Sequence, residues 1–369
     1  MYWFFVLLLS FCIVILLMPT FIKQMEKHRI LDAAGGRKIH SGYTAHMGGV
    51  VIFIGFLCGF CFSLTGIREE ISPLYIVSLL VLLGFVMVIG INDDMNSLSP
   101  VRKLIFEIVV SLCLCALGIR LKSFGGFLGI HTLPVWISYG LTTFFFIVVS
   151  NAYNLIDGID GQAALQALAA LGGIAFFLWQ FIPVEMRIVE GLNNPMLWLM
   201  LIASAMGGIV GFLLYNWQKA RIFMGDTGSI FIGFIIGMAI IVCMNLNVEG
   251  DAQVWNYKIQ SNLGVILCAF FLPLADTLRV FILRVRKGKS PLYPDKTHIH
   301  HLLLRINGFS HAKCALTLFF LQVGIMLVMF FLSLFFNDNI FAIIIFFAWV
   351  LYVAFVQIIA RIKLKHITK

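Results

Sequence analysis

The sequence predicts an all-α, polytopic integral membrane protein, a single domain over residues 1–369 with about eleven transmembrane helices. Three observations carry that expectation. The chain is 61% hydrophobic and only 12% charged, where soluble domains carry roughly twice that charged fraction. Stretches of about 20 apolar residues, enough to cross a bilayer as a helix, recur along the whole length. The mean hydropathy of +1.00 leaves no soluble domain over, the longest gap being about 285–313. Helices are expected because they satisfy their own backbone hydrogen bonds in lipid.

The spans read, in order, 2–22, 47–64, 73–91, 101–119, 134–152, 162–181, 196–214, 229–244, 261–283, 314–336 and 340–360. The first has no basic residue ahead of it and no small-residue cleavage site behind it. It is expected to be a retained span and not a removed signal peptide. The second contains Cys58-Gly-Phe-Cys61, which has redox spacing but reads as small packing residues inside an apolar run. The eight cysteines lie mostly within spans and indicate no disulfide framework. No repeat of fixed period is visible.

Lys and Arg set the expected orientation. Putting loops 23–46, 92–100, 153–161, 215–228, 285–313 and the tail 361–369 on one side, with adjoining helix ends, gathers 21 of the 26 basic residues there. Only Arg68, Arg120, Lys122, Arg187 and Lys258 fall opposite. The rich side is expected to be cytoplasmic, with the N-terminus outside. The net charge of +9 suits anionic headgroups and phosphorylated ligands alike. No nucleic-acid module is present.

The same side collects the unusual polar residues: "GGRKIHSG", "INDDMNSLSPVRK", "NAYNLIDGIDG", "FMGDTGS" and "SPLYPDKTHIHH". Carboxylates at a membrane edge are costly and point to a functional site. Asp93 and Asp94 end the third span, as a solvated pair or turned into one site. Asn151, Asn154, Asp157 and Asp160 recur every three residues, which on a helix puts them on one face. Gly158 and Gly161 would let backbone or ligand approach. For Asp226, at the start of a helix, an N-capping role and a chemical one stand level. His298, His300 and His301, with Lys296 and Arg305, suit phosphate oxygens better than zinc, since no His-Glu-x-x-His occurs. Oxygen ligands such as Asp93, Asp94, Asp157 and Asp226 suit Mg²⁺, which binds one or two carboxylates plus substrate phosphates. Carboxylates opposite basic and imidazole groups describe a metal-assisted site for phosphoryl transfer.

At this combination of motifs the chain resembles the polyprenyl-phosphate N-acetylhexosamine-1-phosphate transferase superfamily, from about Arg37 to Arg305. It is most similar to the bacterial branch that begins O-antigen, enterobacterial common antigen or teichoic acid linkage-unit synthesis. The phospho-MurNAc-pentapeptide translocase is a related branch. "NAYNLIDGIDG", "FMGDTGS" and "PDKTHIHHLLL" are specific; "RKIH…GG" and "DD" alone are weak. The resemblance implies transfer of a sugar-1-phosphate, most commonly GlcNAc-1-phosphate, from a UDP-sugar to undecaprenyl phosphate in the bacterial inner membrane. UMP leaves, Mg²⁺ is needed and Mn²⁺ can substitute.

By carry-over, Asp226 would ligate Mg²⁺, and Asp93 and Asp94 would lie near the metal or acceptor phosphate, one of them a general base. Asn154 and Asp157 would hold the metal-diphosphate region, and Asp160 and Phe223 would contact the uracil. His298, His300 and His301 would face the sugar-phosphate. Lys103 and the Arg37-Lys38-His40 segment would meet phosphates. The chain departs from the family pattern at Ser97, Ala45 and His46, and its "HIHH" favours the N-acetylhexosamine branch.

Two rivals come from other classes. A secondary transporter would place its site near the midplane on broken helices, whereas these acids sit at helix ends. A CDP-alcohol phosphatidyltransferase would need an arginine and two later acids that Leu165 to Leu178 lacks. The sugar, the prenyl length and the oligomeric state, a homodimer included, are not legible.

Overall fold

The computed structural model describes residues 2–33, 43–66, 71–124, 126–180, 194–248, 253–254, 257–258, 260–290, 297–306 and 308–367. Among these the architecture is all-α apart from two small antiparallel hairpins. The long helices are α1 (Tyr2–Lys27), α2 (Gly49–Ser63), α3 (Pro73–Asn96), α4 (Pro100–Ala116), α5 (Val135–Ile156), α6 (Gln162–Gln180), α7 (Pro195–Asn216) and α8 (Gly225–Val248). After α8 come α9 (Asn262–Cys268), α10 (Phe271–Arg286), the short α11 (Ile299–Leu303), α12 (His311–Ser333) and α13 (Asp338–Ile367). Eight of them, α1, α3, α5, α6, α7, α8, α12 and α13, are long and apolar enough to cross a membrane. The other expected spans fall on α2, on α4 with its Arg102, Lys103 and Glu107, and on the α9–α10 pair.

Helix α8 is the axis of the bundle. Its apolar stretch is wholly buried, whereas the equally apolar α12 and α13 leave most of their surface for lipid. It packs chiefly against α5 and α3, and also against α2, α6 and α7. Two glycines bring α2 and α3 onto its first turn. A Cβ at Gly49 would lie 2.1 Å from the Gly228 nitrogen, and one at Gly90 would lie 2.5 Å from the Thr227 Cα. Small residues at such crossings let backbones meet where lipid offers no hydrophobic drive between helices.

The chain entering α2 is tied to the segment before α8. β1 (Leu31–Ala33) pairs with β2 (Tyr43–Ala45), and Ala45 bridges in parallel to Ile222. Phe223 N–H donates to the Ala45 carbonyl (2.9 Å), and Gly48 N–H to the Phe223 carbonyl (2.9 Å). Arg37, Lys38 and His40 lie between β1 and β2, outside the described residues.

The ninth expected span, 261–283, is not one helix. It breaks at Ala269–Phe270, because Pro273 lacks an N–H and its ring crowds the carbonyl four residues back. The freed groups are satisfied by one side chain. Gln322 of α12 donates to the carbonyls of Cys268 (2.8 Å) and Ala269 (3.0 Å) and accepts from Leu272 N–H (2.8 Å). Buried backbone in an apolar interior requires such a partner.

Candidate active site

Three groups of polar side chains line one end of the bundle. The first is built on α3, α4 and α8. α3 continues through Asn96, so Asp93 and Asp94 point apart, as neighbours on a helix must. Each still reaches the same place because α4 and α8 flank the end of α3. Lys103 Nζ, from the first turn of α4, stands 3.1 Å from Asp93 Oδ2 and 3.2 Å from Asp226 Oδ1. Asp93 Oδ1 also accepts Leu98 N–H at 2.8 Å, which fixes the chain as it leaves α3.

Asp94 settles the question of the α8 cap. Its Oδ1 accepts Asp226 N–H (2.8 Å), and its Oδ2 accepts Thr227 N–H (2.9 Å) and the Thr227 hydroxyl. The N-terminus of α8 is therefore capped by a carboxylate from α3, which suits the positive end of a helix. This leaves the Asp226 side chain free to face Lys103 and the amide of Asn154, which donates to it and to Ser229 Oγ (2.7 Å). His46 Nδ1 lies 3.6 Å from Asp94 Oδ1. A cleft of about 430 Å³ opens here, lined by Arg29, Ile30, His46, Asp93, Asp94, Met95, Ser97 and Asp226. At 32% exposure, the Asp226 side chain is the most open of the three acids, the other two being buried. These are not solvated loop charges.

The second group is the "NLIDGIDG" segment. The expected four-residue helical stripe stops at Asn154. α5 ends at Ile156, Asp157 takes a non-helical conformation (φ −76°, ψ 57°), and Gly161 at φ +74° completes the turn into α6. Asn151 has a different partner from Asn154, donating to the buried Glu107 (2.7 Å), which also accepts the Ser150 hydroxyl (3.1 Å). Asp157 is half-buried. Asp160 is buried, its Oδ2 accepting Ala220 N–H (3.2 Å) and facing His311 Nδ1 (3.4 Å). That contact anchors the loop leading to half-buried Phe223.

The third group is the histidine segment. His298 precedes α11, and His300 and His301 lie within it. The rings of His298 and His300 are stacked, 5.9 Å apart and 10° from parallel, and His301 follows at 4.2 Å from His300. A Cβ built on Gly158 would lie 2.6 Å from His300 Nε2, so glycine at that position is what admits the imidazole. Burial pushes the His300 imidazole well below its usual range, and His301 and His298 push it the same way. His300 is thus neutral at neutral pH.

One spine serves all three groups: Asn154 touches Asp226, Gly158 touches His300, and Asp160 faces His311. Several partners escaped the sequence reading. Asp276 holds His298 and is itself held by Arg279 and Tyr352, while Glu107 backs Asn151 and Arg29 walls the cleft. Asp276 and Glu107 carried a signal, since each is an acid inside an apolar run.

Among the described residues no three His, Cys, Asp or Glu side chains form a ready metal cage. The oxygen donors do fit a cation held partly by its ligand. Asp93 and Asp226 converge on one ammonium, and Mg²⁺ is usually bound by one or two carboxylates plus substrate phosphates.

The molecule is thus an all-α, multi-span membrane protein with acid, lysine and histidine groups gathered at one end of its bundle. Residues 75–244 match the family described as Glycosyl transferase family 4. The chain is 29% identical over 315 residues to a probable undecaprenyl-phosphate N-acetylglucosaminyl 1-phosphate transferase of Bacillus subtilis strain 168, covering 85% of this chain and 80% of that protein. It is 31% identical over 301 residues to the decaprenyl-phosphate N-acetylglucosaminephosphotransferase of Mycolicibacterium smegmatis, covering 78% and 71%. It is 26% identical to the undecaprenyl-phosphate alpha-N-acetylglucosaminyl 1-phosphate transferase of Escherichia coli K12, covering 78% and 72%. The chain belongs to this family, the polyprenyl-phosphate N-acetylhexosamine-1-phosphate transferases.

Proposed function

We propose that the protein transfers GlcNAc-1-phosphate from UDP-GlcNAc to undecaprenyl phosphate, as the first membrane step of a cell-surface polysaccharide. An oxygen of the lipid phosphate attacks the sugar-bearing phosphorus of the donor. The bond from that phosphorus to the bridging oxygen breaks, and UMP leaves with the electron pair. The observation that carries the reading is Lys103 held between Asp93 and Asp226 in an open polar cleft, with Asn154 on Asp226.

In such a transfer, positioning and charge neutralisation supply most of the catalysis. Lys103 neutralises incoming phosphate oxygens, released from one carboxylate as the charge arrives. Asp226, Asp93 and Asp157 would hold Mg²⁺, which supplies charge neutralisation to the diphosphate when bound. Asp94 orients Asp226 through the α8 cap, and His46 beside it can take a proton from the acceptor phosphate. Asp160 shapes the uracil site with Phe223, and His298, His300 and His301 face the sugar-phosphate. The segment Arg37, Lys38 and His40 meets the lipid phosphate.

The site faces the cytoplasm of a bacterial inner membrane, because the basic residues gather at its end of the bundle. Cysteines placed at Ser290 and Gln253 should label from the cytoplasmic and outer sides respectively; labelling of both from one side breaks this orientation. The purified protein, given UDP-GlcNAc, undecaprenyl phosphate and Mg²⁺, should release UMP in step with lipid-linked product. Absence of UMP across a panel of UDP-sugars overturns the reading.

A further inference from the structure

We propose that Asp276 is a positioning residue for the donor sugar-phosphate, acting by fixing the ring orientation and tautomer of His298. The proposal rests on the reading above, that the His298–His301 segment meets the donor. Asp276 lies in the apolar stretch of α10, is 2% exposed, and belongs to none of the sequence motifs. A buried carboxylate is expensive unless its lone pairs are filled. Here five donors fill them. Oδ1 accepts from Arg279 Nε (3.0 Å), Arg279 Nη2 (2.6 Å) and the Tyr352 hydroxyl (2.8 Å). Oδ2 accepts from His298 Nδ1 (2.8 Å) and Ile299 N–H (3.2 Å).

This arrangement does more than join helices. Apolar side chains would tie α10, α11 and α13 together at least as well as a buried charge. What a carboxylate adds is direction. It can only accept, so the His298 nitrogen facing it carries the proton. Nε2 is then the working end. Among the described residues it is buried without a hydrogen-bond partner, as are both nitrogens of the stacked His300. Arg279 extends the grip by donating to the Thr297 carbonyl (2.7 Å), which fixes the backbone just before His298. Orientation of an imidazole through its other nitrogen is how proteins set which ring nitrogen acts.

The substitution Asp276→Asn should invert this. Three donors crowd Oδ1, so the asparagine carbonyl will turn to Arg279 and Tyr352, leaving its NH₂ toward His298 Nδ1. The ring must then offer a bare Nδ1 and carry its proton on Nε2, a wrong-tautomer effect like that of the corresponding change in a serine-protease triad.

The test uses the full chain in detergent with ¹⁵N-labelled histidine, the His298 signal being assigned by its loss in His298→Gln. The wild type should show a protonated Nδ1, and a bare Nδ1 overturns the proposal whether or not any variant folds. In kinetics, Asp276→Asn should raise KM for UDP-GlcNAc by roughly 10- to 100-fold, the usual cost of losing an orienting partner. KM for undecaprenyl phosphate should stay within about twofold, since the effect is on donor contacts alone. In the His298→Gln background the same change should add little, because the two residues act as one unit. Additive effects, or equal losses toward both substrates, overturn the positioning role while UMP release by the wild type leaves the proposed function standing. A wild type inert toward every UDP-sugar removes the proposed function and the substrate half of this proposal together, and the tautomer measurement still judges the Asp276–His298 contact.

Discussion

The two ends of the site are built on opposite terms. At the carboxylate end, one lysine holds two acids in an open cleft, and the Asp226 side chain is a third exposed. At the histidine end, Asp276 is sealed from solvent and every contact is made inside the protein, by Arg279, His298, Ile299 and Tyr352. The difference teaches where rearrangement is allowed. Under the proposed function, charges that receive a cation and phosphates are left loosely paired, because a tightly satisfied pair would resist exchange. The carboxylate that sets the direction of a ring has all its acceptor sites filled, because a buried charge left half-paired is costly.

The sharpest way to break this contrast is Asp226→Asn. It should keep the fold yet lose roughly 10²-fold or more in kcat, the scale for a lost stabiliser of developing charge. A chelator should do the same to the wild type, reversed by Mg²⁺ or Mn²⁺. Near-normal turnover of the variant would move the chemistry away from the open end.

Within the open end, Asp94→Ala separates capping from chemistry. Loss of the α8 cap should lower stability by about 1 kcal/mol and also reduce kcat, because Asp226 loses its fixed frame. Thermal unfolding and UMP release measured together check this, and a fall in turnover at unchanged stability would give Asp94 a direct role instead.

The closed end should reveal itself in acid. His300 is held neutral, its folded value lying below the unfolded one near 6.5. Below that pH the unfolded chain binds a proton that the folded protein does not, so stability falls by about 1.4 kcal/mol per pH unit from this group. Above it the contribution is constant. His300→Gln should flatten the slope of unfolding free energy between about pH 6.5 and 5, and an unchanged slope would mean that His300 is protonated in the native state.

The smallest expected effect is Tyr352→Phe. It removes one of five donors to Asp276 and should cost about 1 kcal/mol of stability, with kcat nearly unchanged. A large kcat loss would show that the clamp is less redundant than its geometry implies.

Much of this was legible in residue order. The apolar runs marked the helices, and "NLIDGIDG" marked the segment along which the site is strung. The rest depended on tertiary contacts. That Asp94 would cap a helix 132 residues later cannot be read from local pattern. The residues from Asn151 to Asp160 recur at a spacing that on a helix gives one face, but α5 ends at Ile156, within that run, and Gly161 turns the chain into α6. The ninth span looked continuous because its apolar composition hides Pro273, and the Gln322 that repairs the break lies about 50 residues away. Asp276 was passed over for the same reason, a single acid diluted by fifteen or so apolar neighbours.

The pairing of Asp276 with Arg279 also bears on how the chain is made. The two charges stand three residues apart on α10, so they can meet within the helix itself before the segments that follow it have been synthesised. A hydrogen-bonded pair is cheaper to place in an apolar segment than two separate ions, so the spacing of Asp276 and Arg279 lowers the cost of charge in α10. Tyr352 arrives with the last helix, and only then does the clamp close. The four donors from α10 and α11 are in place before Tyr352 adds the fifth, so the histidine orientation is set by the residues nearest to it in the chain.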